Sequence, residues 1–270
     1  MNYPNASRFR HLGQQLELHA QLKHEYGARA VAPTLDKAER ALRAALSELK
    51  RLPTDRQLAQ KEPDDLDGIR RLRPPRPRRI CTSFHKTQYV ERLEGALLGR
   101  FAGCTLGAPV EGWPIERMES WAKETGDAFP PTDYWSAVPE PHALRYSVGR
   151  CHSYTRQGMN GVPVDDDIVY TLLGLLIVED AGRDFSVEDV GTAWLKYLPF
   201  ACTAEAVALQ NLRNGVPANR AGEKNNPFCQ WIGADIRSDP WGYTCPGLPE
   251  AAADMAWRDA YVSHRRNGIY

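Results

Sequence analysis

Apolar residues recur at helical spacing along most of the chain, and nowhere do they alternate with polar ones over the length of a strand. An early segment carries Phe9, Leu12, Leu16 and Leu22 on one face. Next come Ala38, Leu42, Ala45, Leu46 and Leu49, with Lys37, Glu39, Arg40 and Glu48 between them. From Thr87 to Thr105 the face is Val90, Leu93, Leu97, Phe101 and Cys104. A run from about Asp165 to Asp180 is apolar nearly all round, which predicts a buried helix, and Gly182 suits its C-terminal stop. Ser186-Val187-Glu188-Asp189 reads as a fresh N-cap for a helix through Val190, Ala193, Trp194 and Tyr197. Thr203 to Arg213 is another helix, and Pro249 starts a last one through Met255, Ala256 and Ala260 to His264. The fold class is therefore all-α, with helices joined by long loops.

Between these elements the pattern changes character. Residues 114 to 162 read as irregular but ordered, because Trp121, Tyr134, Trp135, Tyr146 and His152 fall there. These aromatics either line a ligand pocket or pack a core. Gly95, Gly99, Gly103 and Gly107 follow one another at four-residue steps along the Thr87–Thr105 helix. Each glycine costs a helix about 1 kcal/mol against alanine, so four on one ridge predict that another backbone approaches closely there. The alternative is that the last two only end the helix.

Residues 1–80 read as an N-terminal helical extension and linker, and residues 81–270 as the main domain. The linker switches charge: Glu62, Asp64, Asp65 and Asp67 precede Arg70, Arg71, Arg73, Arg76, Arg78 and Arg79, with Pro74, Pro75 and Pro77 interleaved. Prolines at that density favour extended geometry. A basic run of this kind raises nucleic-acid contact, but no aromatic side chains are interleaved to stack on bases. The remaining reading is a solvated linker.

Composition adds limits. The 270 residues carry 34 basic and 34 acidic side chains, so no global field draws in nucleic acid or an anionic membrane. A hydrophobic fraction of 42% supports a real core, and no apolar run reaches bilayer-spanning length. The six cysteines form no CxxC pair, and the N-terminus has no signal-peptide pattern. An intracellular, reduced, cytoplasmic protein is the expectation.

The chemistry concentrates at Asp165-Asp166-Asp167, the head of the apolar helix. A carboxylate at a helix N-terminus satisfies free N–H groups and the macrodipole, so Asp165 as cap with two first-turn helpers is one reading. Capping needs only one, however, and three adjacent anions repel. A hard divalent cation bound through oxygen is the other reading. Glu111, in the loop after the glycine-rich helix, is a carboxylate that acts as acid or base if a cleft receives it.

Three segments together resemble the ADP-ribosylglycohydrolase family. Gly95-Ala96-Leu97-Leu98-Gly99 through Gly107-Ala108-Pro109-Val110-Glu111 is similar to the family's opening helix and glutamate loop. Asp165-Asp166-Asp167-Ile168 resembles its Thr-Asp-Asp-Thr metal motif. Gly233-Ala234-Asp235-Ile236-Arg237 is similar to its Gly-Asn-Gly-Ala-x-Met-Arg segment, and the helix ending at His264 to the one ending in Thr-His. The resemblance covers residues 80 to 270. It implies a multi-helix orthogonal bundle that binds magnesium and removes ADP-ribose from modified protein side chains. In that frame Glu111 is the catalytic carboxylate, and Asp165, Asp166 and Asp167 hold Mg²⁺. Gly107, Gly233, Arg237 and His264 border ADP-ribose or the ADP-ribosylated protein. Cys104 stands where the family has Asp, Ile232 where it has Asn, and Ile168 where it has Thr. The family's further Asp-x-Asp-Thr run has no counterpart before Tyr270, so the expectation is a partial domain of weak or no turnover, completed by a missing C-terminal half or a partner chain. The other class of reading is a non-catalytic ADP-ribose-binding module.

Overall fold

The computed structural model describes residues 4, 6–75, 77–80, 83–138, 146 and 149–270. Arg76 of the Arg/Pro run and Cys81 lie outside the described residues. Two compact units divide between Leu58 and Ala59. The first carries α1 (Ser7–Glu25) and α2 (Val31–Arg51), which pack as a hairpin around Gly27, whose φ is 78°. Neither helix has a buried residue, and Phe9, Leu42, Leu46 and Leu49 are exposed. The helix α3 (Arg56–Lys61) spans the boundary between the units.

The second unit holds α4 (Leu66–Leu72), α5 (Lys86–Gly107), α6 (Ile115–Thr125), α7 (Asp166–Ala181), α8 (Val187–Tyr197), α9 (Thr203–Arg213), α10 (Ala218–Ala221), α11 (Asp239–Thr244) and α12 (Pro249–Tyr261). No strand occurs among the described residues, so the fold is all-α as the periodicity predicts. The main core is built where α7, α8, α9 and α12 meet: Leu173 and Ile177, Val190 and Trp194, Ala208 and Leu209, and Met255. Trp241 of α11 closes it. Local signals act as expected at α8, where Ser186 and Asp189 form a reciprocal capping box. Gly182 ends α7 with a φ of 77°.

The Arg/Pro run is largely exposed, as a linker would be, but it is tied to the domain by ion pairs. Asp65 caps α4 by accepting from the Gly68 N–H at 2.6 Å, and the helix stops before Pro74. Arg70, Arg73 and Arg78 pair with Glu250 or Asp254 on α12. The Ile80 N–H donates to the Gly247 carbonyl at 2.9 Å. These arginines meet carboxylates of the same unit, which removes much of the charge a phosphate backbone would seek.

Two expectations change. The stretch after Pro114 contains the helix α6, ended by Gly126 in the left-handed conformation, with a φ of 75°. Its aromatics form a second, smaller core: Trp121 stacks on Trp135 at 4.9 Å, with Tyr146, Val138 and Trp113 around them. Core packing, not pocket lining, is the role of Trp121, Trp135 and Tyr146. The glycine ridge of α5 also receives no neighbouring backbone. A Cβ built on Gly95, Gly99, Gly103 or Gly107 meets nothing within 4 Å. The close approach falls instead at Gly174 of α7, where a Cβ would lie 2.7 Å from the Pro240 ring carbons of α11.

This contrast is testable by thermal denaturation. Gly95→Ala should stabilise the protein by about 1 kcal/mol, the helix-propensity gain in open space. Gly174→Ala should destabilise it by about 1–3 kcal/mol through overpacking. Equal effects at the two positions would contradict the packing described.

Candidate active site

The α5 ridge, the loop after it and the head of α7 enclose one cleft of about 830 Å³. Gly99, Arg100, Gly103, Cys104 and Gly107 come from α5, and Glu111 from the loop. Asp165, Asp166, Asp167 and Tyr170 come from the start of α7, with Thr203, Glu205 and Gly233 on the far side. Glycines at the wall leave backbone, not side chains, as the surface a ligand meets. The cleft therefore gathers Glu111, the three aspartates, Gly107 and Gly233, residues spread over more than a hundred positions of sequence.

At the head of α7 the capping reading fails in its details. Asp165 occupies the N-cap position with extended backbone (φ −142°, ψ 159°), yet its side chain makes no cap hydrogen bond. Its Oδ2 instead accepts from the Tyr154 hydroxyl at 2.7 Å. One oxygen each of Asp165 and Asp167 and the Cys104 sulfur lie within 4.8 Å of one another. Asp166 is outside that group, so the converging trio is Cys104, Asp165 and Asp167 and not the three aspartates. Desolvation, a hydrogen bond with Asp165, and the charges of Asp165 and Asp167 push the Asp166 carboxyl up to about 6. Burial and the same aspartates push the Cys104 thiol up to about 12. Both shifts favour the protonated forms of Asp166 and Cys104.

Among the described residues, Arg100 is the cation that reaches this acidic corner. Arg100 donates from Nε and Nη2 to the Asp167 carbonyl at 3.0 and 2.8 Å, and from Nη1 to Asp239. Its Nη2 is 3.6 Å from an Asp167 carboxylate oxygen. Arg100 thus locks α5 to the heads of α7 and α11, and only partly offsets the aspartates.

Behind the cleft lies a buried ionic network. Arg237, 1% exposed, donates to Asp259 Oδ2 at 2.6 Å, to Glu205 Oε1 at 2.8 Å and to Ser263 Oγ at 2.6 Å. Its guanidinium also lies 4.9 Å from the Trp194 ring centre. Glu205 is the member of this network that reaches the cleft, and Gly233 is what lets it: a Cβ there would sit 2.1 Å from Glu205 Oε1. His264 is fully buried, with Nδ1 2.7 Å from Ser263 Oγ and Nε2 without a hydrogen-bond partner. Arg237 and His264 therefore stand one layer behind the cleft wall and do not border the cleft, and Arg237 holds Glu205 from there. Their place is electrostatic: a fully desolvated guanidinium needs the carboxylates it touches.

Sequence reasoning did not assign Arg100, Tyr170, Thr203 or Glu205 to the wall. Tyr170 and Asp166 are four apart on α7 and so share a face. Arg100 and Cys104 are likewise four apart on α5, and an arginine in a largely apolar helix was the available signal. Glu205 gave no sign among the alanines of α9. Thr203, β-branched and at a φ of 45°, holds a strained backbone that no sequence pattern announces.

A family model described as ADP-ribosylglycohydrolase matches residues 85–270. No curated protein and no solved structure matches the chain significantly.

Two measurements test the network. Burial, then Arg237 and Arg265, lower the His264 pKa to about 3, against an ordinary value of 6.5. The unfolded chain then takes up a proton that the folded chain refuses, so stability is full above pH 6.5 and falls as pH drops toward 3. By pH 4 this group should remove roughly 3 kcal/mol, and His264→Gln should flatten the pH dependence of denaturant unfolding over that range. Arg237→Met leaves Glu205 and Asp259 buried and unpaired, and should cost about 3–5 kcal/mol at neutral pH.

Proposed function

Since the chain belongs to the ADP-ribosylglycohydrolase family, we propose that it hydrolyses the glycosidic bond joining ADP-ribose to a modified protein side chain. The observation that carries this reading is the meeting of Glu111 and the α7 aspartates in one cleft. About 830 Å³ suits a nucleotide-sized ligand. The glycine wall of α5 lets an extended, anionic ligand lie against backbone. Water adds at the anomeric carbon, the bond to the protein side chain breaks, and that side chain leaves with a proton. Glu111 accepts the proton of the attacking water and passes it to the departing side chain, the role its loop position and exposure allow. Glu205, held by Arg237, lines the opposite wall.

The family is typically metal-dependent. Magnesium, which the sequence resemblance implies, takes six oxygen ligands in near-octahedral geometry. The donors that converge at the head of α7 include a sulfur, so they do not make a magnesium set, and no step is assigned to that ion. Among the described residues, no helix is long and apolar enough to cross a membrane. A cytoplasmic setting belongs to the proposal, in keeping with the unpaired Cys104, Cys151, Cys202, Cys229 and Cys245.

A second reading, an ADP-ribose-binding module without turnover, is favoured by Cys104 at the cleft's acidic corner. Incubating the 270-residue protein with an ADP-ribosylated protein and each of several divalent cations separates the two. The hydrolase reading expects free ADP-ribose as product. It also expects Glu111→Gln to lower the rate about 10²–10⁴-fold with ADP-ribose affinity little changed. Binding without release under every cation supports the module instead.

A further inference from the structure

The corner formed by Cys104, Asp165 and Asp167 carries a consequence beyond the reaction class. Each offers one donor atom, all three are half-buried, and the donors lie within 4.8 Å of one another. A tetrahedral centre with sulfur at about 2.3 Å and oxygen at about 2.0 Å holds such atoms about 3.5 Å apart. Closing the difference takes small rotations of short side chains. Three protein donors with one position left open is also the arrangement of a catalytic zinc site. Asp165 holds the N-cap position of α7 yet spends no oxygen on capping it.

We infer that this chain binds its cation through the Cys104 thiolate together with Asp165 and Asp167, and so selects a thiophilic divalent ion of the zinc class over magnesium. The inference rests on reading the cleft as the site of a metal-dependent enzyme. Sulfur is a poor ligand for Mg²⁺ and a good one for Zn²⁺ or Co²⁺. The thiol gives up its proton to solvent when the ion binds, so binding releases a proton and strengthens as pH rises. Asp166, outside the trio, stays free to hydrogen-bond Asp165 and to meet ligand.

Cobalt(II) is the probe, added to the full metal-free chain. The expected result is a near-ultraviolet sulfur-to-cobalt charge-transfer band with intense visible bands of tetrahedral cobalt. Equimolar Zn²⁺ should abolish both, and a hundredfold excess of Mg²⁺ should leave them. Cys104→Ser should remove the charge-transfer band, and Cys104→Asp should shift preference toward Mg²⁺ by at least tenfold. If these variants fail to fold, alkylation of Cys104 in the unmodified chain, mapped by mass spectrometry, takes their place. Zn²⁺ should protect the thiol and Mg²⁺ should not. No band, a band unchanged in Cys104→Ser, or equal competition by Mg²⁺ overturns the inference, as does alkylation that Zn²⁺ leaves unslowed. ADP-ribose release is scored separately. Release driven by Mg²⁺ with no thiolate band sinks the thiophilic site and keeps the hydrolase, whereas a thiolate band without release does the reverse.

Discussion

The guanidinium of Arg237 is the charge around which this domain closes. It is desolvated on every side, and its partners come from different elements: Glu205 from α9, Asp259 from α12, and Ser263 from the segment beyond α12. A buried ion of this kind is tolerable only if its counter-charges are held in place. That requirement fixes the register of α12 against α9 and the turn that carries Arg237. Those elements in turn press on α7, whose first residues form the acidic corner of the cleft. The site is thus one layer away from the charge that organises it, and Glu205 belongs to both layers.

Much of this was legible in the chain. The helices α2, α5, α7, α8, α9 and α12 announce themselves through apolar spacing and through caps such as Ser186 and Gly182. The helix α6 did not, because Trp121 and its neighbours read as a loop rich in large residues. Met118, Trp121 and Ala122 do stand at helical spacing, a short signal masked by the prolines and aromatics around it. The glycine steps of α5 were legible as a pattern but not as a cause. A missing side chain accommodates a neighbouring helix or an open cleft equally well, and the sequence does not say which.

The candidate site divides the same way. The aspartates and Glu111 carry a chemical signature, and the fold brings them together. Cys104 stood on what read as an apolar stripe, and its sulfur meets the carboxylates because α5 packs against the helix they head. Arg237 and His264 matched a motif, yet a motif does not carry depth. Whether a charged group meets ligand or other protein charges depends on the layer in which it ends up.

The loop bearing Glu111 is anchored by the smaller aromatic cluster and not by the main core. Val110 and Trp113 flank Glu111, and both pack on that cluster. Trp113 lies 5.3 Å from Trp121, and the Arg117 guanidinium 3.7 Å from the Trp113 ring. The Trp135 indole N–H donates to the Leu106 carbonyl at 2.9 Å. The carboxylate assigned to proton transfer thus takes its aim from a handful of stacked rings, while the cation corner takes its shape from the bulk of the fold. Softening those rings uncouples the two halves of the chemistry. The chain would keep its helices and the acidic head of α7, and lose only the placement of Glu111 against it.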